Sequence, residues 1–153
     1  MPEGWATRIP SGWVDHVDQR ISFITLAVRD LGASRGFYVD GLGWEPCLDQ
    51  AGEVLMFEVG DKLILSLWDV EAFTADVGEA PGGGVPPITI AHNLATPDGV
   101  DRVLEQARNA GAARVTDAVE RDWGGYSGYF VDPDGFRWEI CHNPSEIGAK
   151  VLP

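Results

Sequence analysis

The sequence of 153 residues has few cysteines, few basic residues and no apolar run of the ~18 residues that a membrane span needs. Cys47 and Cys141 are too few for a disulfide framework, so we expect a reducing, cytoplasmic location. The first twenty residues have neither the basic start nor the apolar stretch of a secretory signal. Eleven Lys and Arg stand against 24 Asp and Glu, which gives a net charge of -13. Because nucleic acids and anionic membranes reward a basic surface, we expect neither as a partner.

The composition is that of a folded globular chain, since 44% of the residues are apolar. Its length suits one compact domain with a real core. Residues 1–20 are interpreted as an N-terminal arm, in which Trp5 and Trp13 either pack on the body or on a partner, or stay loose. Residues 21–144 are expected to form the domain, and residues 145–153 a C-terminal tail.

A strand, a helix and three further strands are predicted twice along the chain. In the first half, Asp30 is a candidate helix cap, and the predicted strands are 21–28, 44–48, 54–59 and 63–68. In the second half, Thr96 followed by Pro97 predicts a helix start, and the predicted strands are 87–95, 113–119, 127–131 and 136–142. The pattern therefore predicts an α+β fold of two βαβββ modules, at about 21–78 and 87–144, with a linker at about 79–86.

Two segments, VRDLGASRGFYVDGLGW (28–44) and WGGYSGYFVDPDGFRWEICHNP (123–144), carry a resemblance that VDRVLEQARNAGA (100–112) supports. The chain resembles the vicinal oxygen chelate superfamily, which includes glyoxalases, bleomycin-resistance proteins and ring-cleaving dioxygenases. The resemblance implies that the two modules form a cup-shaped mixed sheet. In the metal-using members, four side chains on the cup-facing strands hold one divalent ion, and substrate oxygens complete its shell.

The resemblance places the four ligand positions at Phe23, Ser66, Thr89 and Glu139. Only the carboxylate of Glu139 is a good ligand, because a divalent ion needs several N, O⁻ or S⁻ donors. A different alignment of the first strand of module two puts His92 at the third position, which would give His92 with Glu139. We therefore expect no cofactor; a divalent metal, if present, would be held by Glu139 and His92.

Strand alternation indicates which side chains share the cup. Thr89 and Asn93 point the same way, and Asn93 is expected to line the cavity together with Phe23. Glu139 and His142 fall on opposite faces, so they are not expected to form a ligand pair. Trp123 and Tyr126, beside two glycines, are candidates for stacking on a flat ligand.

Glu139 is the candidate catalytic residue, as a general base or as an anchor for a cationic or hydroxyl-bearing ligand. It could instead be a structural partner of Arg121, Arg137, Ser66 or Thr89. Three functions follow: sequestration or metal-free turnover of a small, aromatic molecule; a metal-dependent lyase or isomerase of the glyoxalase type; or a degenerate interaction module. A homodimer is expected, since members of the superfamily often assemble their cups across subunits.

Overall fold

The computed structural model describes residues 17–153, so the interpretation of residues 1–16 as an arm lies outside the described residues. The first module contains β1 (Phe23–Val28), α1 (Leu31–Arg35), a π-helical segment (Gly36–Gly41), β2 (Leu48–Gln50), β3 (Val54–Gly60), β4 (Leu63–Asp69) and α2 (Val70–Val77). The second contains β5 (Thr89–Asn93), α3 (Pro97–Asn109), β6 (Arg114–Val115), β7 (Val119–Glu120), β8 (Tyr126–Val131), β9 (Arg137–His142) and α4 (Glu146–Lys150). In residues 17–153, no helix is long and apolar enough to cross a membrane.

The strands form two mixed sheets of the same topology. Sheet 1 has the order β1-β4-β3-β2, and sheet 2 has the order β5-β9-β8-β6 with β7 also paired to β8. In each sheet the first strand runs parallel to the last, and the remaining pairings are antiparallel. The predicted α+β class and the βαβββ repeat are therefore confirmed.

Both main helices begin where their capping residues predict. The Asp30 side chain accepts a hydrogen bond from the Ala33 N–H at 3.0 Å. The Thr96 hydroxyl accepts one from the Gly99 N–H at 3.1 Å, and Pro97 opens the first turn of α3. Each cap satisfies a backbone donor that the first helical turn leaves without a partner.

Two predicted strands are wrong in extent. Residues 44–47 are not a strand, because Trp44 packs its ring against Phe57 and Trp138, at centroid distances of 5.3 and 5.6 Å, instead of following a ladder. The predicted strand 113–119 is divided into β6 and β7. Between them, Thr116 exchanges hydrogen bonds with Tyr129 through its own N–H and its hydroxyl, both at 2.9 Å. A hydroxyl thus replaces the ladder carbonyl, and regular pairing stops there.

The two modules join through the helix-covered faces of their sheets, which we call the core faces. Phe37 of the first module packs on Phe130 of the second at 5.7 Å, and Tyr38 packs on Trp138 at 6.1 Å. One continuous apolar cluster includes buried residues of both halves. Burial of this aromatic area is the main force that holds the modules together.

A buried polar group, the Asp132 network, fixes the orientation of the two modules. The Tyr38 hydroxyl donates to Asp132 Oδ2 at 2.7 Å, and Trp138 Nε1 donates to the Tyr38 oxygen at 2.9 Å. Asp132 Oδ1 accepts from the backbone N–H groups of Asp134 and Phe136 at 3.0 and 2.9 Å. Asp132 is only 1% exposed, and burial raises its pKa while these hydrogen bonds oppose the rise. Every buried donor of this network has an acceptor. Because hydrogen bonds depend on direction, the network favours one orientation of the two modules across a contact that is otherwise apolar.

Candidate functional site

The face of each sheet opposite its core face is called the cup face, and strand register identifies its residues. On sheet 2, Glu139 lies directly between Ala91 and Tyr129, and its neighbour Cys141 lies between Asn93 and Ser127. Thr89 occupies the same face one step earlier on β5. Because side chains alternate along a strand, Thr89, Asn93 and Glu139 share this face, as the sequence pattern predicts.

His142 is on the other side of sheet 2. It pairs in register with Tyr126, and its Nδ1 lies 3.2 Å from the Leu94 carbonyl oxygen. Glu139 and His142 therefore do not converge. His142 is instead a residue at the end of β9 that forms a hydrogen bond with the backbone of Leu94.

Glu139 belongs to a polar group on the cup face, the Glu139 cluster, which consists of Arg121, Ser127, Tyr129, Glu139 and Cys141. Arg121 donates to the Ser127 hydroxyl at 2.9 Å and to its carbonyl oxygen at 3.1 Å. Partial burial, and then the charge of Glu139, raise the pKa of Tyr129. The same two causes raise the pKa of Cys141, and Arg121 opposes them. The phenol and the thiol are therefore neutral at neutral pH, and Glu139 faces both.

No salt bridge involves Glu139 within the part of the chain that the structure describes. The cation considered as its structural partner, Arg121, is instead held by Ser127 through two hydrogen bonds. The carboxylate is half-buried and keeps acceptor capacity on the open face. It is therefore positioned to accept a hydrogen bond from a hydroxyl, or to attract a cation, on a bound molecule.

Sequence reasoning did not select Tyr129 or Ser127 as site residues. The signal was present, because alternation along YSGYF puts both on the face of Glu139 once the hairpin register is known. The register itself depends on the turn at residues 132–135, in which Gly135 has a φ of +92°.

The structure does not bring Tyr126 to the cup face. Its register partner is His142, and its hydroxyl donates to Asp101 on α3 at 2.7 Å. The residue therefore binds the helix on the core side of sheet 2. Trp123 is 56% exposed, and its ring covers Gly125 so closely that a Cβ there would meet it at 1.8 Å.

The remaining two predicted residues, Phe23 and Ser66, are on sheet 1. Phe23 is in register with Ile64, and Ser66 lies between Thr25 and Met56, so all belong to the cup face of sheet 1. Phe23 is 55% exposed, whereas Ser66 is buried. Phe23 thus presents an aromatic ring to the surroundings of the molecule.

The cup faces of the two sheets are separate within one chain. The hydrogen bonds and aromatic pairs that join the modules in residues 17–153 come from core faces, helices and turns, such as Tyr38 with Asp132 and Gln106 with the Leu42 carbonyl. No hydrogen bond or ion pair of the described residues links Phe23 or Ser66 to the Glu139 cluster. The site residues consequently form two half-sites, one on each sheet.

The donor set does not fit the divalent ion of the metal-using relatives. The four inherited positions supply one carboxylate, two neutral hydroxyls and a phenyl ring. The alternative ligand His92 is in register with Ile140, so it is on the core face, opposite Glu139. Between residues 17 and 153, no group of three or more His, Cys, Asp and Glu side chains is arranged to hold a metal. The residues therefore give no set of converging donors of the kind that zinc, nickel or iron requires.

Comparison with known proteins identifies the family. The sequence profile of the Glyoxalase/Bleomycin resistance protein/Dioxygenase superfamily matches residues 15–140. The chain belongs to this superfamily, which confirms the resemblance in the sequence. No curated protein gives a significant match.

Solved structures agree in fold. A glyoxalase-related enzyme from Fulvimarina pelagi is 34% identical, with a TM-score of 0.75 over 82% of this chain and 89% of that one. A glyoxalase/bleomycin resistance protein/dioxygenase from Nocardioides is 26% identical, with a TM-score of 0.68 over 87% and 92%. Lactoylglutathione lyase from Agrobacterium tumefaciens is 26% identical, with a TM-score of 0.64 over 83% and 96%.

Proposed function

We propose that the protein binds a small, aromatic molecule in a metal-free cup, for sequestration or for turnover without a metal. One observation carries this proposal: Glu139 lies on an open sheet face opposite the Tyr129 phenol and takes part in no salt bridge of the described residues. Such a carboxylate can anchor a hydroxyl or cationic group, and it can act as a base towards an acidic proton. Phe23 would supply apolar contact.

We further propose that the complete cup forms in a homodimer, in which sheet 1 of one copy faces sheet 2 of its partner. Strands β1 and β5 are both at the edge of their sheets, so each leaves a row of backbone groups available for a neighbour. The two cup faces are on different sheets that meet through their core faces. A two-fold assembly would bring each half-site to its complement twice.

The alternative is a metal-dependent lyase or isomerase, which the likeness to lactoylglutathione lyase favours. We expect purified, untagged protein to contain no stoichiometric metal by elemental mass spectrometry. We also expect nickel, zinc and manganese to leave its melting temperature equal to that with a chelator, because the donor set binds no ion tightly. A stoichiometric metal, or a melting temperature raised by one ion, would contradict the metal-free cup.

Mixing two variants tests the shared cup. In a ligand screen by calorimetry, Glu139→Gln and Phe23→Asp should each weaken the selected ligand about tenfold or more, since each removes an anchor from one half-site. After subunit exchange in a 1:1 mixture, about a quarter of the cups should regain full affinity, because random pairing makes half the dimers mixed and each has one intact cup.

Val77→Asp is the matched control for a new exposed carboxylate, since Val77 is 58% exposed and lies at the end of α2, outside both sheets. It should leave ligand affinity unchanged. Affinity that stays absent in the mixture would place the cup within one chain. An unaltered affinity in Glu139→Gln would make that carboxylate structural and would overturn the proposed anchor.

A further inference from the structure

A cavity lies between the core face of sheet 1 and strand β5 of sheet 2. Its volume is about 610 Å³, within the range of roughly 300–1,000 Å³ that small-molecule sites occupy. One wall comes from the core face of sheet 1, including Ile24 and Leu65, and the other from strand β5 and Trp138. None of the residues of the Glu139 cluster lines it. Thr89 and Ala91 of β5 do line it, so the cavity reaches the edge of the cup face without including the Glu139 cluster.

Three aromatic rings line this cavity. Trp44 is half-buried and packs edge-on against Phe57 and Trp138, at interplanar angles of 78° and 83°. The rings are held in place by the core, so a ligand would meet a surface that is already ordered. Aromatic surface of this kind stabilises flat ligands by stacking and attracts cations through the ring quadrupole.

The ionised groups at the cavity are negative. Glu45 and Glu58 both line it and are exposed, and none of the Lys and Arg residues between positions 17 and 153 lines it. His92 also lines it; it remains open to solvent, yet the apolar walls lower its pKa, so its imidazole is neutral at neutral pH. The site consequently combines aromatic walls with two carboxylates and a neutral nitrogen base.

We propose that this cavity is a binding site for a planar aromatic cation. The rings of Trp44, Phe57 and Trp138 would stack on the ligand's ring system. The carboxylates of Glu45 and Glu58 would attract its positive charge. An anionic ligand would meet both carboxylates without a compensating cation from the described residues of the wall, so it is disfavoured. Exposed Val59 and Ile88, which also line the cavity, supply apolar contact for the rest of the ligand.

The test compares N-methylphenanthridinium with uncharged phenanthridine at neutral pH, since the two share a ring system and differ in charge. Isothermal titration calorimetry on the full chain should give one cation bound per chain, with phenanthridine roughly tenfold weaker. The double variant Glu45→Gln/Glu58→Gln should weaken the cation roughly tenfold and leave phenanthridine unchanged, because it removes charge and keeps shape.

The control double variant Glu53→Gln/Glu79→Gln also removes two negative charges, at exposed positions outside the cavity wall. It should retain the full affinity for the cation, because it leaves this cavity unchanged. If both double variants weakened cation binding equally, the effect would come from the net charge of the protein and not from this cavity, which would overturn the proposal.

Light scattering during the titration examines the other possible occupant, a second copy of the chain. The cation should bind without changing the mass of the protein. A cation that dissociates a dimer would make the cavity a subunit contact and would overturn the proposal. The metal and subunit-mixing experiments are unaffected by either result, so this site and the proposed cup can fail independently.

Discussion

Replacing Asp132 with alanine should lower the free energy of unfolding by about 3–5 kcal/mol. The substitution removes the acceptor of the Tyr38 hydroxyl and of two backbone N–H groups in a place that is 1% exposed. These donors then remain buried without partners, and the contact between modules loses its only described carboxylate acceptor for Tyr38. Urea unfolding monitored by circular dichroism gives the difference, provided that the slope of the transition is unchanged.

Asp101→Ala is the matched control for this effect. Asp101 also accepts a tyrosine hydroxyl at 2.7 Å, from Tyr126, but on the exposed surface of α3. Water replaces the lost acceptor there, so the expected change is below about 1 kcal/mol. Similar losses in the two variants would show that burial of Asp132 does not determine its contribution.

Gly41→Ala should destabilise the protein by about 2 kcal/mol. A Cβ on Gly41 would lie 2.5 Å from the Ala110 Cβ, 3.0 Å from its Cα and 3.1 Å from its carbonyl oxygen. Two of these atoms are backbone, so the end of α3 must move away from the first module. The melting temperature and the urea midpoint should both fall.

Gly36→Ala is the same substitution in the same helical stretch, but it is expected to raise the stability of the protein and not to lower it. Gly36 has helical dihedral angles, φ -56° and ψ -39°, and a Cβ there meets no atom within 4 Å. Alanine should therefore stabilise the protein by about 0.4–1 kcal/mol, because it restricts the unfolded chain. If both variants were stabilised, the close approach of Gly41 to Ala110 would be irrelevant to stability.

Local chemistry was sufficient to predict the order of the elements and the helix starts. Asp30 and Thr96 cap their helices because a short polar side chain at this position can accept a hydrogen bond from a free backbone N–H of the first turn. Alternation also assigned Thr89 and Glu139 to one face. These features depend on neighbours in sequence or on one hairpin.

Other features depend on how the modules pack, which residue patterns do not encode locally. The residues of DPDG (132–135) suit a tight turn, but this local pattern does not indicate that Asp132 points inward to Tyr38 of the other module. Tyr126 was assigned to the ligand because aromatic residues beside glycines are common at sites, yet Asp101 on α3 takes its hydroxyl. The separation of Phe23 from Glu139 on two sheets likewise follows from the joining of core faces, not from either strand.

The joining of the modules through their aromatic core faces also bears on how such a repeat can originate. A single βαβββ unit would expose the rings that meet across the modules: Phe37, Tyr38 and Trp44 in the first, or Phe130 and Trp138 in the second. An exposed apolar patch of this kind favours association, so a half-length ancestor would gain stability by pairing with another copy of itself. Fusion through a linker then converts a concentration-dependent contact into an intramolecular one. After fusion the two halves are free to diverge, and here each carries a different half of the proposed cup.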